Sequence, residues 1–329
     1  MSAIAKKPLK KAAENYSPTG TPPVLHVLKA QVPQSMAGER CDHVLALLFP
    51  DYSRTRLAAW LKDGLATIDG VSRAPKDKLW GGEAVAVSPQ PDPQASAFRA
   101  QDIAFPIVFE DGHIIVINKP PGLVVHPGSG NWDGTLLNAL LAHAPALAHL
   151  PRAGIVHRID KDTSGLLVVA KTLTAQTALV RALQAHDVIR EYIAVVHGVV
   201  EGEGTVDAPI GRHKVQRTRM AVTPGGKAAV THYEPIENFN RVTVLRCRLE
   251  TGRTHQIRVH LASIGHPIVG DPVYGGQRAA QPFVPPFARQ ALHAERLGLI
   301  HPASGKPRTW KAPVPADMRK LLMILRRES

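Results

Sequence analysis

Apolar positions near the start of the chain recur at helical spacing, whereas those in its longer remainder mostly alternate. In "GERCDHVLALLFP", Val44, Leu45 and Leu48 fall on one face and the run stops at Pro50, which predicts a short helix. "YSRTRLAAWLKDG" repeats the pattern. Ser53 can cap a helix whose Leu57, Trp60 and Leu61 face inward while Arg54, Arg56 and Lys62 stay outside, and Gly64 supplies the stop. Asp69-Gly70 in "LATIDGVS" is a tight-turn signal, and "GGEAVAV" closes with strand alternation. Two helices and a small hairpin then make a compact unit within residues 38–88.

Residues 88–102, "SPQPDPQASAFRAQD", are rich in Pro, Ser and Gln and lack a hydrophobic period, the composition of a linker. From Ile103 onward, "PIVFED", "HIIVINK", "GLLVVAKT", "REYIAVVHG", "AVTHYEPIE" and "RVTVLRCRLE" read as strands. "GTLLNALLAHA", "TAQTALVRALQAH" and "RTHQIRVHLASIG" read as helices. The expected fold class is α+β. A basic disordered tail over residues 1–30 precedes a small α/β domain over 31–90, a linker over 91–102 and a mainly antiparallel, mixed-sheet domain over 103–329.

Charge narrows the partners. Forty Lys and Arg against 27 Asp and Glu give a formal +13, which points to a polyanion such as nucleic acid. No apolar run is long enough to span a bilayer, and the basic N-terminus lacks the apolar stretch of a secretory signal, so no membrane partner is expected. Cys41 and Cys247 cannot build a disulfide framework, which suits a reducing compartment. The 16 histidines show no metal-ligand spacing.

The densest chemistry lies in "HRIDKDTSG", His157–Gly165. Asp162, Thr163, Ser164 and Gly165 suit a turn into a strand beginning near Leu166. Asp160, between Arg158 and Lys161, is a candidate nucleophile or base, since neighbouring cations favour the carboxylate; the same letters also suit a surface ion pair. A kinase catalytic loop is excluded by the order His-Arg-Ile-Asp and by the lack of a Gly-rich loop, "VAIK" or "DFG".

The stretch "RAGIVHRIDKDTSGLLVVAKT" resembles the signature of the RluA-type pseudouridine synthases, "HR-[LI]-D-x-[DE]-T-[ST]-G". "INKPPGLVVHPGSG", "REYIAVVHG", "LETGRTHQIRVHLASIGHPIVGDPVYG" and "QALHAERLGLIHP" agree with further family motifs in order, across about residues 103–313. Upstream, "DGLATIDG" after a basic helix pair resembles the S4-like RNA-binding module, with Ala66 where Val is usual.

The resemblance implies an isomerase without cofactor or metal. By that resemblance Asp160 matches the catalytic aspartate, Tyr192 the tyrosine that lies against the uracil, Arg258 the basic residue paired with the aspartate, and Arg158 the arginine that fills the space left by a flipped-out nucleotide. Arg54, Arg56 and Lys62 become candidate RNA contacts. In "RTHQIRVHLASIG", Thr254 can cap the helix and Ile257, Leu261 and Ile264 form its buried stripe, with Arg258 at the stripe's edge. Lys119 and His126, close to the turn formers Pro120, Pro121 and Gly122, read as structural.

"DGTLLNALLAHAPALAHLPRAGIVHRIDKDTSG" is most similar to the family's D-type branch, which implies a cytoplasmic monomer acting on 23S rRNA, at the helix 69 loop, in the large ribosomal subunit or its precursor. Alternatives are the C-type branch with other target uridines, a non-catalytic RNA-binding ribosome-assembly protein, and a nucleoside glycosylase that would release uracil.

Overall fold

A computed structural model describes residues 26–90, 97–128, 130–276 and 285–328. The basic tail expected over residues 1–30 stops short of residue 30. Leu28–Gln31 is a strand, β1, whose Leu28 and Ala30 pack on an apolar core and whose backbone groups are paired, which a solvated tail could not offer. Residues 1–25, the rest of that tail, lie outside the described residues. The chain divides into two units, Met1–Asp92 and Pro93–Ser329.

In the first unit, α1 (Cys41–Leu48) and α2 (Arg54–Lys62) pack together, and β2 (Ala66–Ile68) and β3 (Ala84–Val87) join β1 in the order β1-β3-β2. Ser53 Oγ accepts the Arg56 N–H at 3.3 Å, capping α2. Asp69 and Gly70 both take positive φ, 50° and 75°, as a tight two-residue turn demands, and Ile68 and Val71 exchange hydrogen bonds across it.

The second unit begins earlier than the sequence suggested. Ala97 is buried, and Asn138 Nδ2 donates to the carbonyls of Ala97 and Arg99 at 3.2 and 2.8 Å. Residues 97–102 therefore belong to this unit, because a buried Asn needs those acceptors; residues 91–96 of the expected linker lie outside the described residues.

Its strands are β4 (Ile107–Glu110), β5 (Ile114–Lys119), β6 (Ser164–Ala170), β7 (Ile189–His197), β8 (Gly204–Asp207), β9 (Ile210–Arg212), β10 (Met220–Val222), β11 (Val230–Asn238), β12 (Val242–Leu249), β13 (Leu292–Ile300) and β14 (Pro307–Lys311). Among the described residues, nine of them form one sheet in the order β4-β5-β6-β13-β7-β12-β11-β8, with β14 on β13. Every pairing is antiparallel except β6 with β13, so the sheet is mixed and mainly antiparallel. The helices are α3 (Leu136–His143), α4 (Leu173–Gln184), α5 (Gln256–Ser263) and α6 (Ala316–Glu328). The central strand β13, the short strands β8, β9, β10 and β14, and helix α6 were not read from the sequence.

Strand alternation sorts β5 and β6 between two cores. Ile115, Ile117, Leu167 and Val169 face α3, α5 and α6, while Ile114, Val116, Leu166 and Val168 face α4. Both faces are covered, which is why "IIVIN" and "LLVVA" are continuously apolar. Gly165 was expected to free a turn, but it lies inside β6, where an added Cβ would sit 2.2 Å from the Ala294 carbonyl oxygen. The close approach of β13 requires the glycine.

Candidate active site

The Asp160 loop is clamped from below by two buried cations. Lys119, at the end of β5, is fully buried, and its Nζ donates to the carbonyls of Pro120, Leu123 and Lys161 at 2.8, 2.9 and 2.8 Å. Burial pushes its pKa down to about 7, against the pull of Asp162 and Asp160, yet three acceptors for three N–H bonds are the complement of an ammonium. Those three bonds hold the charged form at neutral pH. Arg289 donates to the Asp162 carbonyl at 2.9 Å and is itself held by Asp317 of α6 at 2.7 and 3.0 Å. Irregular backbone leading into β6, an interior strand, is thereby fixed with the carbonyls of Lys161 and Asp162 satisfied.

Arg258 reaches this loop from α5, 98 positions away, and donates to Asp160 Oδ2 at 3.0 Å. Its other edge is held by Asp271, Nε to Oδ2 at 2.7 Å and Nη2 to Oδ1 at 2.9 Å. Burial alone would favour a neutral guanidinium, but the hydrogen bonds and charge of Asp271, then of Asp160, outweigh it and raise its pKa. Asp271 is buried too, which works against its charge. Arg258 and the N–H groups of Tyr274 and Val273 more than compensate and lower its pKa.

The expected cap and stripe of α5 need correction. The residue before the helix is His255, in the left-handed region at φ 58°, and it caps nothing through its side chain. Thr254 is therefore not the cap; Gln256 serves the turn instead, its Oε1 accepting from Arg253 N–H and the Thr251 hydroxyl at 2.9 and 2.7 Å. Residues 256–261 are buried all round rather than along one stripe, and Ile264 is exposed. Arg258 is not at an edge; its charge survives because both carboxylates are built in with it.

Arg158 and Lys161, the sequence neighbours of Asp160, are exposed, whereas Ile159 is buried and Asp160 half-buried. The guanidinium bonded to Asp160 is that of Arg258, from α5, rather than one adjacent in sequence. Tyr192 of β7 is buried, with its hydroxyl pushed up to about 12 by burial. A cleft of about 1000 Å³ brings Asp160, Tyr192, Arg258 and Arg158 together. His157 borders it too, but its Nε2 accepts the Val168 N–H at 3.1 Å, and burial, then Arg190, pushes its pKa down to about 3; the ring is a neutral structural acceptor. His126 is pushed down to about 4 by burial, then by Arg152 and Arg158.

Sequence reasoning passed over Asp271, His255, Tyr274 and Arg289. His255 Nε2 lies 3.9 Å from Asp160 Oδ1, and its Nδ1 lies 2.8 Å from the Tyr274 hydroxyl, which also accepts the Met220 N–H at 3.0 Å. The Tyr274 ring stands 5.0 Å from the Arg258 guanidinium. Asp271 and Tyr274 lie in "GDPVYG" and His255 in "THQIRVH", stretches already quoted for their motifs but not searched for further polar partners. In the first unit, Arg54 is held by Asp42 at 3.0 Å, Arg56 stacks on Trp60 at 4.9 Å, and Lys62 is exposed. Among the described residues no cluster of three or more His, Cys, Asp or Glu could hold a metal ion.

The cleft presents a carboxylate fixed by a guanidinium beside an apolar, aromatic wall, an arrangement competent to act on a flat, loosely held base. The family model of RNA pseudouridylate synthase matches residues 113–263, which include Asp160, Tyr192 and Arg258. Ribosomal large subunit pseudouridine synthase D of Nitrosomonas europaea is 51% identical over 318 residues, 96% of this chain and 92% of its own length. The chain belongs to the RNA pseudouridylate synthase family. The same-named proteins of Xanthomonas campestris pv. campestris and Escherichia coli (strain K12) are 55% and 54% identical to this synthase, over 92% and 91% of it and 93% and 94% of themselves. Among solved structures, human RNA pseudouridylate synthase domain containing 4 matches at TM-score 0.55 and 26% identity, covering 67% of this synthase and 93% of that chain. Human RNA pseudouridylate synthase domain containing 1 matches at TM-score 0.53 and 25% identity, covering 69% and 96%. As a pseudouridine synthase the protein is an isomerase.

Proposed function

We propose that this synthase converts specific uridines of 23S rRNA, in the loop of helix 69, to pseudouridine in the cytoplasm, and that Asp160 acts at the sugar of a uridine flipped out of the RNA. The observation that carries the reading is the Asp160 carboxylate, fixed by Arg258 at 3.0 Å in a cleft that also holds Tyr192. Similarity to relatives named for the large ribosomal subunit supports the substrate.

The reaction breaks the bond from C1′ to N1, turns the detached uracil, and joins C5 to the same C1′; N1 gains a proton and C5 loses one. Asp160 bonds C1′ or takes a sugar proton. Arg258 fixes its aim, and Tyr192 supplies a wall for the loose ring. A base stacked in RNA is out of reach, so extrusion costs a few kcal/mol, and exposed Arg158 takes the vacated place. The first unit, read as S4-like, holds the RNA through Arg54, Arg56 and Lys62, and the chain works as a monomer.

The test is tritium release from large-subunit rRNA labelled at uridine C5, comparing the native chain with Asp160→Asn at equal RNA binding. Release by the native chain alone is expected, with carbodiimide mapping placing the product in helix 69. Product at other uridines would favour the C-type alternative, and free uracil a glycosylase. Intact binding with no release by either chain would favour an assembly factor.

A further inference from the structure

The cleft contains a second buried guanidinium, and this one has no carboxylate. Arg190, in β7, is 7% exposed and lines the cleft with Asp160, Tyr192 and Arg258. Its Nη2 donates to the Glu250 carbonyl at 2.8 Å, and its Nε has no partner. Arg258, Arg289 and Arg296 of the same unit each hold a carboxylate at 2.7 to 3.2 Å; among the described residues Arg190 pairs with none. The surroundings are shaped to admit it, since a Cβ on Gly252 would lie 2.7 Å from its Nη1.

A buried cation without an anion is costly, and burial pulls its pKa down. Such a group is retained where the missing negative charge arrives with a ligand or develops during a reaction. A backbone phosphate, fully charged and strongly hydrated, is better met by exposed cations at the cleft such as Arg158 and Arg253. Arg190 instead lies on the same face of β7 as Tyr192, about 6–7 Å along the strand, beside the expected position of the base.

We propose that Arg190 is a catalytic residue that donates hydrogen bonds to a carbonyl oxygen of the detached uracil and stabilises it as an anion. The inference rests on the reading of Asp160 given above. When C1′–N1 breaks, its electron pair passes to N1 and spreads onto the ring oxygens, while C1′ bonds the Asp160 carboxylate or a sugar proton moves to it. The charge that leaves Asp160 reappears on uracil, in the cleft that Arg190 also lines. Attack of C5 on C1′, displacing the carboxylate or accompanied by return of its proton to the sugar, gives that charge back to Asp160; C5 then releases its proton, and N1 takes one up.

The experiment measures turnover on C5-tritiated large-subunit rRNA, RNA affinity at several salt concentrations, and thermal midpoint for Arg190→Met and Arg190→Lys, with Asp160→Asn alongside. Arg190→Met is expected to lose about 10²–10³-fold in kcat with affinity changed less than about threefold. Its midpoint should be unchanged or higher, because an unpaired buried charge has been removed. Arg190→Lys should keep turnover within about tenfold of native, since charge is the operative property. Normal kcat in Arg190→Met overturns the proposal. So does a loss confined to affinity with a shallower salt dependence, the mark of a phosphate contact. A midpoint lowered in both variants, with kcat per folded molecule intact, assigns Arg190 to structure. Turnover by Asp160→Asn would remove the reading of Asp160, while the Arg190 variants would still report whether a cation assists departure of the base.

Discussion

Asp42 in the first unit and Arg258 in the second sit at the centres of opposite clusters. One carboxylate is shared by two arginines, Arg40 and Arg54, each through Nε and Nη2 at 3.0 to 3.1 Å. One guanidinium is shared by two carboxylates, Asp271 and Asp160. The first cluster is formally +1, its arginine side chains 45% and 49% exposed; the second is formally −1, and both Arg258 and Asp271 are buried. The same ion pair therefore does different things. At the surface it orders cations that can meet an RNA backbone. In the interior one cation keeps the Asp160 carboxylate in place, at a desolvation cost that only complete pairing offsets.

The sharpest way to break this comparison is to remove each centre. Arg258→Met should destabilise the second unit by about 3–5 kcal/mol, because Asp271 is left buried without a cation. Urea unfolding measures it, and a loss below about 1 kcal/mol would mean that Asp271 simply takes up a proton. Arg258→Lys separates stability from function. An ammonium restores the charge but not the planar fork, so about 10²-fold of turnover should be lost while much of the stability returns.

The contrast was only half legible in the sequence. Runs such as "HIIVINK" and "GLLVVAKT" announce strands because burial on both faces leaves a continuous apolar trace. Asp160, Tyr192, Arg258 and Arg158 could be named because family motifs carry them, and the structure places all four in one cleft. Asp271 could not be found by periodicity. It acts through a hydrogen-bonded fork to a helix 13 positions earlier, in irregular chain that leaves no repeat. Sequence adjacency misled at Asp160, whose flanking cations are exposed while its partner comes from α5. Thr254 likewise looked like a cap, but the left-handed turn at His255 shifts that role to the Gln256 side chain.

A smaller effect sharpens the interior side. His157, half-buried, shows what happens to an enclosed ionisable group whose charged neighbour is a cation, Arg190. Its pKa of about 3 in the folded unit lies below its ordinary 6.5, so between those values the unfolded chain binds a proton that the folded chain refuses. Stability is therefore lost as pH falls from 6.5 toward 3, by at most about 1.4 kcal/mol per pH unit from this group. His126 acts in the same direction down to about 4. His157→Gln, whose amide oxygen can accept the Val168 N–H, should flatten that slope; equal slopes in urea midpoints at pH 7.5 and 5.5 would place the acid sensitivity elsewhere.

The smallest effect belongs to the surface cluster. Asp42→Asn should cost only about 1 kcal/mol at pH 7, because its arginine partners are half exposed and screened. Burial of Asp42 opposes its charge, but hydrogen bonds from Arg54 and Arg40 prevail and lower its pKa. The contribution is thus present above about pH 4 and lost as pH falls through the lowered value, so native and variant should converge only below it. The same substitution raises the cluster's formal charge from +1 to +2. If the two guanidinium groups serve RNA, affinity at low salt should hold or rise slightly while stability falls, an opposition that burial at Arg258 forbids. A fall in affinity would mean that Asp42 aims those arginines as Asp271 aims Arg258, and the two clusters would then differ in burial alone.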